Sequence, residues 1–188
     1  MVDLASIAAC LVLGADPRLI SAVMQQESAG VIAAISVNGW EGDPFTVTDT
    51  EEATIAANLF ISEGYTVDVG LMQINSKNLE RFGEPVASAY EPCNNIQLGE
   101  RILIENLSFA NQSGLVGNAA IRGALSMYNT GSLTAGFTNG YVEKVWKLYS
   151  GERQDNARKA DSRVAWNHGK SWSDEVTEAQ VQWSVADE

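Results

Sequence analysis

Apolar positions recur at helical spacing through most of the first 150 residues. Leu4, Ile7, Ala8 and Leu11 share one face of a helix predicted over 4–13 and ended by Gly14. Asp16-Pro17 opens the next helix: Asp16 can cap free backbone N–H groups, and Pro17 suits the first helical position. Ile20, Val23, Met24 and Glu27 follow at i, i+3, i+4 and i+7, and Ala29-Gly30 stops the run near Ser28. The apolar face therefore ends on a carboxylate. Glu27 lies in the last turn, where the helix dipole disfavours negative charge and pushes a carboxyl pKa upward. A purely structural helix would carry Lys or Arg there, and local rules tend to be broken at functional positions.

From Val31 to Thr50 the period changes. Asn38-Gly39 and Glu41-Gly42-Asp43-Pro44 are turn sequences, and Phe45-Thr46-Val47-Thr48 reads as a short strand in a β-rich excursion. A third helix starts at Thr50, with Ala53, Ala56, Ala57 and Phe60 inward, and closes at Gly64. The stretch YTVDVGLMQIN, 65–75, begins as a strand; Gly70 permits close backbone approach. It ends in two amides, Gln73 and Asn75, which either read a polar ligand or are satisfied within the core. Ser76 is placed to cap a helix to about Phe82, and Pro85–Pro92 connects to a helix capped by Asn94 or Asn95 and running to about Phe109. Further helices are expected over about 116–127 and 141–149, separated by the turn-rich Tyr128-Asn129-Thr130-Gly131.

After Ser150 the pattern breaks down. Residues 151–188 are polar and acidic, sparse in aliphatics, yet hold Trp166, Trp172 and Trp183. This segment reads as a flexible tail that either docks back or binds a partner, following a domain over 1–150. The net charge of −12 is spread along the chain, with 16 acidic and 7 basic residues in 1–150 and 8 and 5 in 151–188. Such acidity argues against phosphate-backbone binding, so no nucleic-acid partner is expected. No apolar run approaches the roughly 20 residues of a membrane span. The N-terminal run carries no basic flank, so no export signal is visible.

With one histidine, His168, and two cysteines, Cys10 and Cys93, a structural zinc site lacks ligands and a Ser–His–Asp arrangement lacks a base in the domain. No phosphate-cradling glycine pattern is present, and no metal or cofactor is expected. By composition, the two cysteines are one disulfide or two free thiols.

Three stretches in order raise a family: Gln26-Glu27-Ser28, then Gly70-Leu71-Met72-Gln73-Ile74-Asn75, then Met127-Tyr128-Asn129-Thr130-Gly131 followed by Tyr141-Val142. Together they resemble the soluble lytic transglycosylase domain, a lysozyme-like fold that cleaves peptidoglycan. The likeness covers 4 to about 149. Asp68-Val69 before the central motif, Glu91-Pro92-Cys93 with Asn95 beyond, and the run from Asn129 to Val142 resemble the variety found in type IV secretion and conjugation systems. Met127 stands where the family usually has Ala.

The resemblance implies an α+β, mostly helical fold with a small β-rich excursion. It makes Glu27 the single catalytic acid, acting between N-acetylmuramic acid and N-acetylglucosamine with the substrate's own C6 hydroxyl as nucleophile, so that 1,6-anhydromuramic ends form. It makes Ser28, Gln73, Asn75, Tyr128, Asn129 and Tyr141 substrate-binding positions. It leaves Asp68 a structural role in preference to that of a second carboxylate. It pairs Cys10 with Cys93 and implies an oxidising compartment, the periplasm. Implied partners are peptidoglycan strands and, through the C-terminal tail, secretion or conjugation apparatus proteins. A water-consuming lysozyme-type hydrolase and a non-catalytic glycan-binding assembly module are the alternatives.

Overall fold

A computed structural model describes residues 2–43 and 45–160, the side chains being described as far as residue 151. The tail expected over 151–188 therefore lies outside the described residues from 161 onward, its three tryptophans included. In chain order the elements are α1 Leu4–Cys10, α2 Pro17–Ser28, β1 Ile35–Asn38, α3 Thr50–Ser62, β2 Thr66–Val69, β3 Ile74–Asn75, α4 Ser76–Phe82, a 3-10 turn Val86–Tyr90, α5 Pro92–Gln112, α6 Asn118–Thr130, α7 Ala135–Thr138 and α8 Tyr141–Ala160. The architecture is the expected α+β, mostly helical with one small sheet. Among the described residues no helix is long and apolar enough to cross a membrane.

The chain divides into two compact units: residues 1–12 with 23–99, and residues 13–22 with 100–188. The divisions fall within α2 and α5.

The first unit holds the sheet, ordered β1-β2-β3 and antiparallel throughout. Ile35 pairs Val69, Val37 pairs Val67, and Val69 pairs Ile74. Because side chains alternate across a pleat, this register places the aliphatic residues on one face, with Val67, Val69 and Ile74 fully buried. Ser36, Asn38, Asp68 and Asn75 fall on the opposite, polar face. Against the apolar side stand α3 and α4, whose Ala53, Ala57, Phe60 and Leu79 are all buried. The strand expected at Phe45–Thr48 is absent. Those residues are β-branched and aromatic but find no ladder partner, and β1 forms ten residues earlier by pairing with β2. Phe45 instead packs on Phe60, ring centroids 5.1 Å apart, and Thr48 donates its N–H and hydroxyl to the Glu52 carboxylate.

The cysteines are joined as a Cys10–Cys93 disulfide, with Cα atoms 5.0 Å apart and a sequence separation of 83. The Cys10 carbonyl also accepts from the Gln97 side-chain amide at 2.9 Å. Helix α1 thus ends at Cys10, earlier than expected, where α5 anchors it twice.

In the second unit α6, α7 and α8 pack together around Ala120, Ile121, Ala124, Leu125, Val142 and Val145. Two buried carboxylates organise the segment 13–22. Glu100, fully buried, accepts from the backbone N–H groups of Leu13 (3.1 Å) and Ala15 (3.0 Å). Asp16 caps α2 by accepting from the Arg18 N–H at 2.9 Å, pairs with the Arg18 guanidinium at 2.6 Å, and accepts from the Tyr149 hydroxyl at 3.0 Å. Burial alone pushes the Asp16 carboxyl pKa up. The bonds and charge of Arg18, with the Tyr149 hydroxyl, outweigh it and hold the pKa below 3.8. Helix α8 continues past Tyr149 to Ala160, beyond the expected end.

Two expectations follow. Because the folded pKa of Asp16 is depressed, its contribution is present above the ordinary value of 3.8 and is lost as pH falls through the folded value. Asp16→Asn should lower the urea midpoint by a constant amount at neutral pH, and the gap to wild type should shrink below pH 3.8. Opening the disulfide with a Cys10→Ser, Cys93→Ser pair should cost about 4–5 kcal/mol in denaturant unfolding, from the chain entropy of a loop that long.

Candidate active site

The residues expected to form the site divide between the units: Glu27, Ser28, Gln73 and Asn75 in the first, Tyr128, Asn129 and Tyr141 in the second.

Glu27 occupies the last turn of α2 and is part-buried. Val23 and Met24, the preceding members of its helix face, are buried. After Ser28 the chain leaves the helix through two left-handed residues, Ala29 at φ 52° and Gly30 at φ 80°. Such a conformation at alanine costs roughly 1–2 kcal/mol. The Ser28 hydroxyl holds this end in place: it donates to the Leu71 carbonyl at 2.8 Å and accepts from the Gly30 N–H at 3.1 Å. Ser28, expected as a substrate contact, is thereby the tie between the acid's helix and the turn at 70–73.

That turn is built around two backbone requirements. Gly70 has φ 75° and donates its N–H to the Ala34 carbonyl at 2.8 Å; a Cβ there would run into the Asn95 carboxamide and the Ala89 carbonyl. Gln73 also adopts a left-handed conformation, φ 47°, and its N–H closes the turn onto Gly70 at 3.1 Å. Its side chain is held at both ends: the amide donates to the Gly70 carbonyl at 3.0 Å, and the oxygen accepts from the Ser36 hydroxyl at 2.8 Å. Strain at a non-glycine residue that neighbouring bonds over-determine is characteristic of binding and active sites.

Beneath the turn lies Asn95 of α5, which is buried. Its oxygen accepts from the Met72 N–H at 2.7 Å, and its amide donates to the carbonyls of Val69 (3.0 Å) and Ala89 (2.6 Å). One helical turn on, Gly99 leaves room for the Met72 side chain, which a Cβ would meet at 2.6–2.9 Å. The sequence marks Asn95 as a candidate helix cap and as part of the likeness to the secretion-associated variety. It lies inside α5, and the legible signal was an amide followed four residues later by glycine on an otherwise apolar face.

On the polar face of the sheet, the Asp68 carboxylate accepts from two amides, Asn75 at 2.7 Å and Asn38 at 2.9 Å. The Asn75 oxygen accepts from the Lys77 N–H at 3.0 Å and so caps α4, the role expected of Ser76. Ser76 instead accepts from the Val67 N–H at 3.2 Å. Asn38 and Ser36 belong to this polar network and were not foreseen, because the strand that carries them was not.

In the second unit α6 ends at Thr130 on Gly131, which is left-handed at φ 71°. Ser126 is fully buried; its hydroxyl donates to the Ser132 carbonyl at 2.6 Å and accepts from the Gly136 N–H at 2.8 Å. The returning loop brings the Asn139 amide to the Asn129 oxygen at 2.8 Å, and the Asn139 oxygen accepts from the Tyr141 N–H at 3.0 Å. Asn129 and the start of α8 are thus linked through Asn139. Asn129 is exposed, Tyr128 part-buried and Tyr141 buried. Among the described residues no three His, Cys, Asp or Glu side chains group closely enough to hold a metal ion.

Known proteins resemble this chain in sequence. The family model for the Transglycosylase SLT domain matches residues 5–148. The chain is 33% identical over 129 residues to Protein virB1 of Agrobacterium fabrum, covering 69% of this chain and 52% of that protein. It is 32% identical over 136 residues to the type IV secretion system protein virB1 of Brucella abortus, covering 69% of this chain and 56% of that one. The chain thus spans about half the length of these curated relatives. No solved structure matches it significantly.

Removal of the peg beneath the turn should be costly. Asn95→Ala takes the partner from the buried Met72 N–H and a donor from each of two buried carbonyls, and a buried group left unpaired costs about 1–3 kcal/mol. Denaturant unfolding should show a loss of at least about 3 kcal/mol, with hydrogen exchange accelerated first at Met72. A loss below about 1 kcal/mol would mean that the turn holds itself.

Proposed function

The chain belongs to the transglycosylase SLT domain family, and from that membership we propose that it is a peptidoglycan lytic transglycosylase with Glu27 as its single acid–base. The observation that carries this reading is the part-buried Glu27 in the last turn of α2, tied through Ser28 to the strained turn that presents Gln73. A carboxyl held there is oriented by rigid backbone and is exposed enough to meet a substrate.

In this reading Glu27 protonates the glycosidic oxygen between N-acetylmuramic acid and N-acetylglucosamine. The bond from C1 to that oxygen breaks, and the neighbouring N-acetyl group stabilises the cationic centre. The muramic C6 hydroxyl then bonds to C1 and returns its proton to the Glu27 carboxylate. The product is a 1,6-anhydromuramic end, and no water is consumed. A two-carboxylate glycosidase needs its second group about 5–5.5 Å or 6.5–9.5 Å from the acid. Asp68, the carboxylate closest in sequence to the central motif, has both oxygens engaged by Asn38 and Asn75. That engagement supports a structural role for it. The proposed glycan contacts are Gln73 and Asn75 in the first unit and Tyr128, Asn129 and Tyr141 in the second, with Ser28 acting through the turn.

Likeness to a type IV secretion system protein supports a setting in which the enzyme opens the wall locally for such an apparatus. The disulfide supports an oxidising compartment, and hence the periplasm. Residues beyond α8 are proposed to serve contacts with apparatus proteins and not cleavage.

Glu27→Gln should keep the fold by circular dichroism and reduce release of muropeptides from isolated sacculi by at least about 10²-fold. Mass spectrometry should find wild-type products one water lighter than those of a hydrolase. Full lysis by the Gln variant would remove Glu27 from its role, and products carrying the added water would make the enzyme a lysozyme. A chain ending at Ala160 should cleave sacculi at the wild-type rate; loss of cleavage would count against a separable tail.

A further inference from the structure

The first unit carries an exposed apolar surface that the proposed chemistry does not use. On α3, Ile55 and Leu59 stand four residues apart, 64% and 55% exposed. One step round the helix, Glu52 holds the loop at Thr48, and the next row is Phe60, which carries Phe45 and Trp40. Trp40 and Phe45 are each 38% exposed. Trp40 and Phe45 therefore lie on Phe60 of α3, round the helix from Ile55 and Leu59. The Trp40 ring is held on several sides. Trp40 meets Phe60 and Tyr65 edge-on at 5.0 and 5.6 Å, and its indole N–H donates to the Asp43 carbonyl at 3.3 Å. Gly42 lies so close to the indole that a Cβ would run into it. A surface of several large apolar groups, held rigid and left open, marks an interaction site.

The surroundings of this strip are of one sign. Between Arg18 and Lys77 the chain has no Lys or Arg and eight acidic residues. Four of these, Glu41, Asp43, Glu51 and Glu63, are exposed on or beside the strip. We infer that this face docks a basic protein segment that inserts apolar side chains against Ile55, Leu59 and Phe45. Charge decides among occupants. A second copy, at net charge −12, would set acid against acid. The chain's own residues 161–188 hold six acidic and two basic residues and are repelled in the same way. Wall polymer bears carboxylates on its stem peptides and would meet the same acidic rim. A cationic partner with apolar anchors satisfies both the strip and its rim.

The test uses the full chain and a short amphipathic Lys/Leu peptide as probe. Titration followed by amide NMR should move signals in residues 39–49 and on α3, with affinity falling as salt rises. Ile55→Ser with Leu59→Ser, both at exposed positions, should leave the unfolding midpoint near wild type and weaken binding roughly tenfold or more. Glu51→Gln with Glu63→Gln should weaken binding and flatten its salt dependence. Equal binding by the serine variant, or by a Lys/Ser peptide, would reduce the effect to unspecific charge and overturn the proposal. Self-association of the wild type that the serine variant abolishes would assign the face to a second copy instead. Muropeptides shifting the same signals would assign it to glycan.

Discussion

One carboxamide holds the central turn of the first unit. The Asn95 side chain bonds to the backbone of β2, of the 70–73 turn and of the 3-10 segment at once. Each of those backbone groups is buried, and the one carboxamide reaches all three. Asn offers both an acceptor and two donors on a short, stiff side chain, which is why neither Asp nor Leu would serve. Gly70 is a consequence: the peg stands so close that no Cβ fits beside it. With the peg in place, the left-handed Gln73 can be tolerated, and the Leu71 carbonyl is presented to Ser28. The position of Glu27 relative to the turn thus traces back through Ser28 to one amide on another helix.

The second unit uses the same device with carboxylates. Glu100 accepts two backbone N–H groups from the segment that leads into α2, and Asp16 joins that segment to Arg18 and to Tyr149 on α8. Buried charge is costly unless hydrogen-bonded, and each of these groups is bonded to fixed donors. Breaking one partner would leave the other charge stranded, so these contacts impose geometry more than they add net stability. In both units, polar side chains from long helices set the path of irregular backbone, while aliphatic packing supplies the bulk of the cohesion.

Much of the fold was legible in the chain. Asp16-Pro17 and Ala29-Gly30 bracket α2 as expected, because capping and termination are local chemistry. The placement of Glu27 in a last turn follows from the same local rules. The sheet was harder. Ile35-Ser36-Val37-Asn38 alternates as a strand should, but Phe45-Thr46-Val47-Thr48 alternates as well and is richer in β-formers. What separates them is the partner: Val67 and Val69 accept the first and not the second. The site shows the same division. Gln73 and Asn75 stood out as amides among apolar residues. Nothing in the sequence told that Asn75 would spend its oxygen on capping α4 and its amide on Asp68, or that Ser36 and Asn38 would join them.

Local chemistry was enough for most of the longer helices, for the Asp16 cap of α2, for the awkward carboxylate at that helix's end and for the order of motifs that places the chain in its family. These rest on interactions spanning a few residues, where the chemistry of neighbours is written side by side. Tertiary structure alone decided which extended segment became β1, which asparagine became a peg and which a cap, and how Ser28 ties the acid's helix to the turn. Those outcomes depend on donors and acceptors far apart in the chain, and an amide's partner is chosen by whatever backbone the fold brings within hydrogen-bond reach.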